Sequence, residues 1–221
     1  MRYLAIVGVV LVLAGCGAKD PLTSTETQVI WPLKVGNHWE YKFNQYNSDY
    51  VQPISSGVYI YDVLGTVQIG TETWSLMQVF DSTRRNLPGD SSVYIYHDTM
   101  YVMNRADGLW SRSSIISQPY MAVKFPVHLG ETYQQNPGLP GSPVVEVASL
   151  DEQVRVPAGT FSCYHYIMHE NQWNFDWSSL YCRPNVGIVQ QVVRDLYDWN
   201  VGPTGGWYIE MSMALSAYDL K

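Results

Sequence analysis

The chain reads as an all-β protein: an antiparallel meander forming a curved sheet, an open barrel or a sandwich, after an N-terminal signal peptide. Three observations predict this. Across residues 207–218, Trp207, Ile209, Met211, Met213, Leu215 and Ala217 alternate with Tyr208, Glu210, Ser212, Ala214, Ser216 and Tyr218, the period of two that sends successive side chains to opposite faces of a strand. Short connectors (Pro88-Gly89-Asp90, His97-Asp98, Ala106-Asp107-Gly108, Pro137-Gly138, Pro140-Gly141, Gly202-Pro203) recur between apolar stretches, as hairpins require. After the signal peptide no window carries a helical period, while 17 Tyr, 8 Trp and 5 Phe suit strands that bury one face and wet the other.

Taken in order, the chain begins with Arg2 and an uncharged apolar run over residues 4–13, closed by Leu13-Ala14-Gly15-Cys16. About ten apolar residues are too few to cross a hydrocarbon layer of roughly 30 Å as a helix, so residues 1–15 read as a secretory signal peptide. Residues 16–28 form a polar, flexible tether containing Lys19, Asp20, Pro21 and a Thr-Ser-Thr-Glu-Thr run. Residues 29–221 suit a single β-rich domain, because 46% hydrophobic and 15% charged residues can fill one core. Strands are expected at residues 39–46, 58–69, 73–81, 93–97, 100–104, 122–127, 144–149, 153–156, 161–169, 177–183, 187–195 and 207–218. His97-Asp98 and Asp151-Glu152 are expected to turn hairpins.

The Leu-Ala-Gly-Cys ending resembles the lipobox of bacterial lipoproteins. That resemblance implies diacylglycerol on the Cys16 thiol, cleavage before Cys16 and stable anchoring by acyl chains, each buried CH₂ contributing about 0.8 kcal/mol. In enterobacterial lipoproteins an Asp after the lipidated Cys retains the protein in the inner membrane. Here Gly17 stands there, so the resemblance implies an outer-membrane location, periplasmic or surface-facing. A net charge of −7 and a pI near 5.1 exclude a basic stripe for nucleic acid and leave anchoring to the acyl chains.

Setting Cys16 aside leaves Cys163 and Cys182 in an oxidising compartment, an even pair that predicts a disulfide. If residues 161–169 and 177–183 form a hairpin turning near Gln172 and Trp173, Cys163 and Cys182 stand directly opposite each other. Opposed Cβ atoms lie about 4.5–5.5 Å apart, near bridging distance. Closing a loop of about 20 residues contributes on the order of 3 kcal/mol in the chain-entropy account.

Three stretches, Trp31-Pro32-Leu33-Lys34-Val35-Gly36-Asn37-His38-Trp39-Glu40-Tyr41, Val156-Pro157-Ala158-Gly159-Thr160-Phe161 and Tyr181-Cys182-Arg183-Pro184-Asn185-Val186-Gly187-Ile188-Val189, resemble a family of uncharacterised bacterial lipoproteins and secreted proteins. Its domains of unknown function open on Pro-Leu-x-x-Gly-Asn-x-Trp-x-Tyr and carry the other two motifs late. The resemblance implies a curved antiparallel sheet, distantly similar to the half-barrels of lipoprotein carriers, and it brings no catalytic residues. Physics accounts for the motifs structurally: Gly36-Asn37 turns the chain and delivers Trp39 and Tyr41 to one strand face, where they plug an end of the core. Val156-Pro157-Ala158-Gly159 suits a type I turn, and the residues from Arg183 to Gly187 break one strand and restart the next.

No Gly-x-Ser-x-Gly elbow, His-Glu-x-x-His helix or phosphate-cradling loop occurs. His165 and His169, four apart on a strand, lie about 13 Å apart and do not share an ion. His38, His97 and His128 read as solvated or hydrogen-bonded loop residues. Asp151 with Glu152, and Asp195 with Asp198, are acids whose convergence a hydrolase would need. Neither a cofactor nor a metal is expected. Aromatic residues among polar ones single out Trp173, Trp177, Tyr197 and Trp199 as candidate ligand contacts, with flat faces for a sugar ring or a partner protein.

Three functional readings follow. The first is a non-enzymatic, lipid-anchored envelope module that is structural or binds an envelope protein or glycan. The second is a carrier for an apolar or carbohydrate ligand, whose open cavity is lined by residues such as Met211, Met213 and Leu215. The third is a cell-envelope hydrolase whose acids meet only in three dimensions.

Overall fold

The structure, a computed structural model, describes residues 28–47, 52–136, 141–170, 175–196 and 208–221. It consists of β1 (His38–Asn47), β2 (Ser55–Ile69), β3 (Glu72–Arg85), β4 (Val93–Arg105), β5 (Gly108–Arg112), β6 (Tyr120–Lys124), β7 (Thr132–Gln134), β8 (Val144–Val156), β9 (Gly159–Glu170), β10 (Phe175–Arg183), β11 (Gly187–Leu196) and β12 (Tyr208–Asp219). All belong to one antiparallel sheet in the order β6-β5-β4-β3-β2-β1-β12-β11-β10-β9-β8-β7. The first strand pairs with the last, so the meander runs around a barrel and leaves a seam between β6 and β7.

That seam is stitched by single bonds. The Met121 amide donates to the Gln135 carbonyl at 3.2 Å, the Lys124 amide to the Tyr133 hydroxyl at 3.2 Å, and the Tyr166 hydroxyl to the Lys124 carbonyl at 3.0 Å. Curvature comes from register shifts between β1 and β12 and within the β2–β3, β5–β6, β8–β9, β9–β10 and β10–β11 pairs, since a bulge bends and twists its strand.

Alternation sets inside from outside. Trp39, Tyr41 and Phe43 of β1 are buried, with Tyr41 facing Leu215 and Phe43 facing Met213 across β12. The intervening Glu40 and Lys42 are less buried or exposed. A barrel that spans a membrane has the opposite arrangement, apolar outside.

The segment before β1 crosses one end of the barrel. Ile30 and Trp31 are buried, and the backbone of this segment is held by Asn104 Nδ2, which donates to the Trp31 carbonyl at 2.7 Å, and by Asn37 Nδ2, which donates to the Pro32 carbonyl at 2.8 Å. The Trp31 ring meets Trp39 at 5.2 Å and Tyr61 at 5.5 Å, both edge-on. Trp31 is therefore the floor of the barrel, and Trp39 and Tyr41, both fully buried, pack above it as the opening motif predicts.

Several expectations are corrected. His97-Asp98 does not turn a hairpin: β4 runs unbroken from Val93 to Arg105, because β3 pairs with it through residues 93–102. Asp151-Glu152 likewise lies inside β8, where register shifts absorb the polar residues without ending the strand. Two short strands, β5 and β7, were not legible in the periodicity. The opposition of Cys163 and Cys182 also fails. Phe175 pairs with Glu170 and Asp176 with His169 as expected, but a shift between Asp176 and Ser178 moves the rest by one residue, so that Cys182 faces Tyr164. Both thiols are free and buried, so the predicted disulfide is absent from this structure.

Candidate functional site

Inside the barrel, above Trp31, lies a cavity of about 230 Å³. Its wall is mostly apolar, with Val102 and Leu109 on one side and Val145, Met168 and Leu180 on the other. An engineered cavity of about 150 Å³ holds benzene, whereas drug-sized ligands occupy about 300–1,000 Å³. The volume therefore fits a single ring or a short chain and is too small for a whole phospholipid.

Three residues of this wall carry a buried polar atom without a partner. Ser111 Oγ, Ser178 Oγ and Trp31 Nε1 are buried without hydrogen-bond partners, and all three residues line the cavity. Buried polar atoms are nearly always satisfied, because leaving one unmade costs about 1–3 kcal/mol. Ser111 comes from β5 and Ser178 from β10, on opposite sides of the seam, so a guest touching both spans the barrel. Two hydroxyls and an indole N–H suit a guest with at least one hydrogen-bond acceptor on an otherwise apolar body.

Tyrosines complete the wall. Burial raises the Tyr61, Tyr133 and Tyr166 hydroxyls above their ordinary range, and all three line the cavity. Tyr59 is pushed up to about 12 by burial and then by its hydrogen-bonded neighbour Asp81. These phenols stay protonated at neutral pH and act only as hydrogen-bonding groups.

Other reactive side chains are arranged differently. His165 Nδ1 lies 2.8 Å from Glu152 Oε2, and its ring stacks on Tyr181 at 4.2 Å. Cys163 is two residues away on β9, which outlines a thiol, imidazole and carboxylate. Burial pushes the Cys163 thiol up to about 12 and Cys182 well above its usual value, the reverse of what a nucleophilic thiolate needs. Among the described residues no group of three His, Cys, Asp or Glu side chains is placed to hold a metal.

The predicted contact residues have no described side chains. Cys16, Trp173, Tyr197 and Trp199 lie outside the described residues, and Trp177 belongs to β10 by its backbone while its side chain is not described. Met213 and Leu215 are buried core, but neither they nor Met211 line the cavity, which corrects the predicted lining. The two serines of the wall were missed. Ser111 follows Leu109 at an inward position, and Ser178 precedes Leu180 in the same way. A serine in phase with the apolar face was the available signal.

No family model and no curated protein matches the chain. Two solved structures resemble it: a Bacteroides fragilis protein described as exported and of YmcC-like fold, 14% identical with a TM-score of 0.37, and a Parabacteroides distasonis protein described as a lipoprotein, 11% identical with a TM-score of 0.36. Each match covers 88% of this chain and 100% of the other. At TM-scores this low they carry no function to this chain.

Proposed function

We propose that this chain is a non-enzymatic envelope protein, anchored through acyl chains on Cys16 in the outer membrane, whose barrel binds a small amphiphilic guest. The observation that carries the binding reading is the interior cavity with Ser111 Oγ, Ser178 Oγ and Trp31 Nε1 unpartnered. It favours the carrier among the three readings, with a guest of one ring or a short chain bearing an acceptor. The anchoring reading is supported by the lipobox-like residues at Cys16.

Phenol, 1-hexanol and benzene serve as probes, with binding read by calorimetry and by the rise in Tm. Phenol or 1-hexanol is expected to bind at least tenfold more tightly than benzene. Ser111→Ala with Ser178→Ala should erase that preference while leaving benzene unaffected, and Val102→Trp should abolish binding of all three. No binding by any probe, or equal binding unaffected by the Ser changes, overturns the reading. For the anchor, Cys16→Ala should release the protein from membranes and remove a triacyl mass from the N-terminal peptide. An unmodified Cys16 in the wild-type protein refutes it.

A further inference from the structure

Half of β4 is an unprotected sheet edge. β3 pairs with it from Val93 to Val102, but β5 covers only Tyr101 to Arg105 on the other side. Residues 93–100 therefore present one row of backbone donors and acceptors with no strand against it among the described residues. Val93, Tyr94, Ile95 and Tyr96 are 58%, 53%, 63% and 59% exposed. No Lys, Pro or bulge blunts this stretch, although edges normally carry such guards.

We propose that two copies of this chain pair edge to edge through residues 93–97 of β4, antiparallel, with Ile95 on the two-fold axis. Opposed residues in such a ladder share a face, so a two-fold perpendicular to the sheet requires partners of the same parity. Centring on Ile95 meets this condition. Tyr94 then faces the partner's Tyr96, Val93 faces the partner's His97, and Ser92 faces the partner's Asp98.

Charge selects this register. Tyr94 and Arg85 share one face, since the Arg85 guanidinium lies 5.7 Å from the Tyr94 ring centre, and the same guanidinium also pairs with Asp90 at 3.3 Å, so the partner's Asp98 would share Arg85 with Asp90. The Arg85 amide donates to the Ser92 carbonyl at 2.9 Å, so the partner's Asp98 reaches that face with only a serine between it and Arg85. Symmetry repeats the contact. Centring on Tyr96 instead would set Asp98 against Tyr94 and Ile95 against His97, losing both the charge match and the apolar pair.

Area sets the strength. With about 150–250 Å² per aromatic side chain, the four half-exposed residues present on the order of 400 Å² per copy. Two copies with their flanking residues reach about 1,000 Å², the lower bound for a specific interface. The dimer is therefore weak, and it closes at two because a two-fold contact uses the same stretch on both copies.

Sedimentation equilibrium of the purified full chain in density-matched detergent, from about 1 to 500 µM, reads the association. A dimer is expected within that range. Ile95→Lys should raise its dissociation constant at least tenfold with an unchanged circular dichroism spectrum. Arg85→Asp and Asp98→Arg should each weaken it, and together restore it to within about threefold. Ile95→Cys should cross-link two copies under mild oxidation, whereas Thr99→Cys should not. A monomer throughout the range, or a dimer indifferent to Ile95→Lys and to the charge exchange, overturns the proposal.

Discussion

Gly187 shows how one residue ties the fold to the cavity. It follows the β10–β11 turn with φ +113, and a Cβ there would stand 2.5 Å from Trp31 Cδ1 and 2.7 Å from Trp31 Nε1. Only glycine admits both the backbone angle and the close approach of the indole that floors the barrel. Gly187→Ala is expected to destabilise the protein by about 2–4 kcal/mol in urea unfolding, from overpacking and backbone strain together. It should also weaken phenol binding by displacing the indole. Gly65 is the control: a Cβ there meets nothing within 4 Å, so Gly65→Ala should change stability by under about 0.5 kcal/mol.

Between β6 and β7 the seam depends on a few side chains instead of a ladder. Glu131, just before β7, receives the Lys124 ammonium on one oxygen and the His128 amide on the other at 3.0 Å. Its own amide donates to the His128 carbonyl, and its carbonyl accepts from Val147. The hydrogen bond from Lys124, then that from the His128 amide, holds the Glu131 carboxyl below its usual 4.5. A lowered folded value means the fold favours the carboxylate. Its contribution is complete above pH 4.5 and is lost as pH falls through the lowered value. Glu131→Gln should remove about 0.5–1 kcal/mol at pH 7, as a partly exposed pair does, and little at pH 3. Urea midpoints at the two pH values check this.

The barrel as a whole is a container of protonated phenols. Tyr41, Tyr61, Tyr133 and Tyr166 are raised well above 10 chiefly by burial, and Tyr59 to about 12. For an acid whose folded value is raised, stability is complete below the unfolded value near 10 and is lost as pH climbs toward the folded one. The protein is therefore expected to unfold cooperatively in base, between about pH 10 and 12. The part of the phenolate absorbance at 295 nm that belongs to these buried tyrosines should rise in step with the loss of circular dichroism. Titration of Tyr41, Tyr61, Tyr133 and Tyr166 in a still-folded barrel would contradict this account.

The all-β class, the positions of most strands and the structural use of the opening motif were decided by sequence, because they rest on local physics. Period-two alternation, Gly and Pro turns and the Gly36-Asn37 corner need no distant partner. What the sequence could not decide is everything that depends on pairing. One shift between Asp176 and Ser178 parted two cysteines that counting placed opposite each other. Full pairing by β3 carried β4 through His97-Asp98, a dipeptide that reads locally as a turn. Ser111 and Ser178 lie far apart along the chain, and only closure of the sheet brings them to one cavity. Residues 93–97 read as an ordinary strand, and only the short reach of β5 makes them an edge. Local preference acts within a few residues, whereas register and closure are set by contacts between strands that the linear order does not contain.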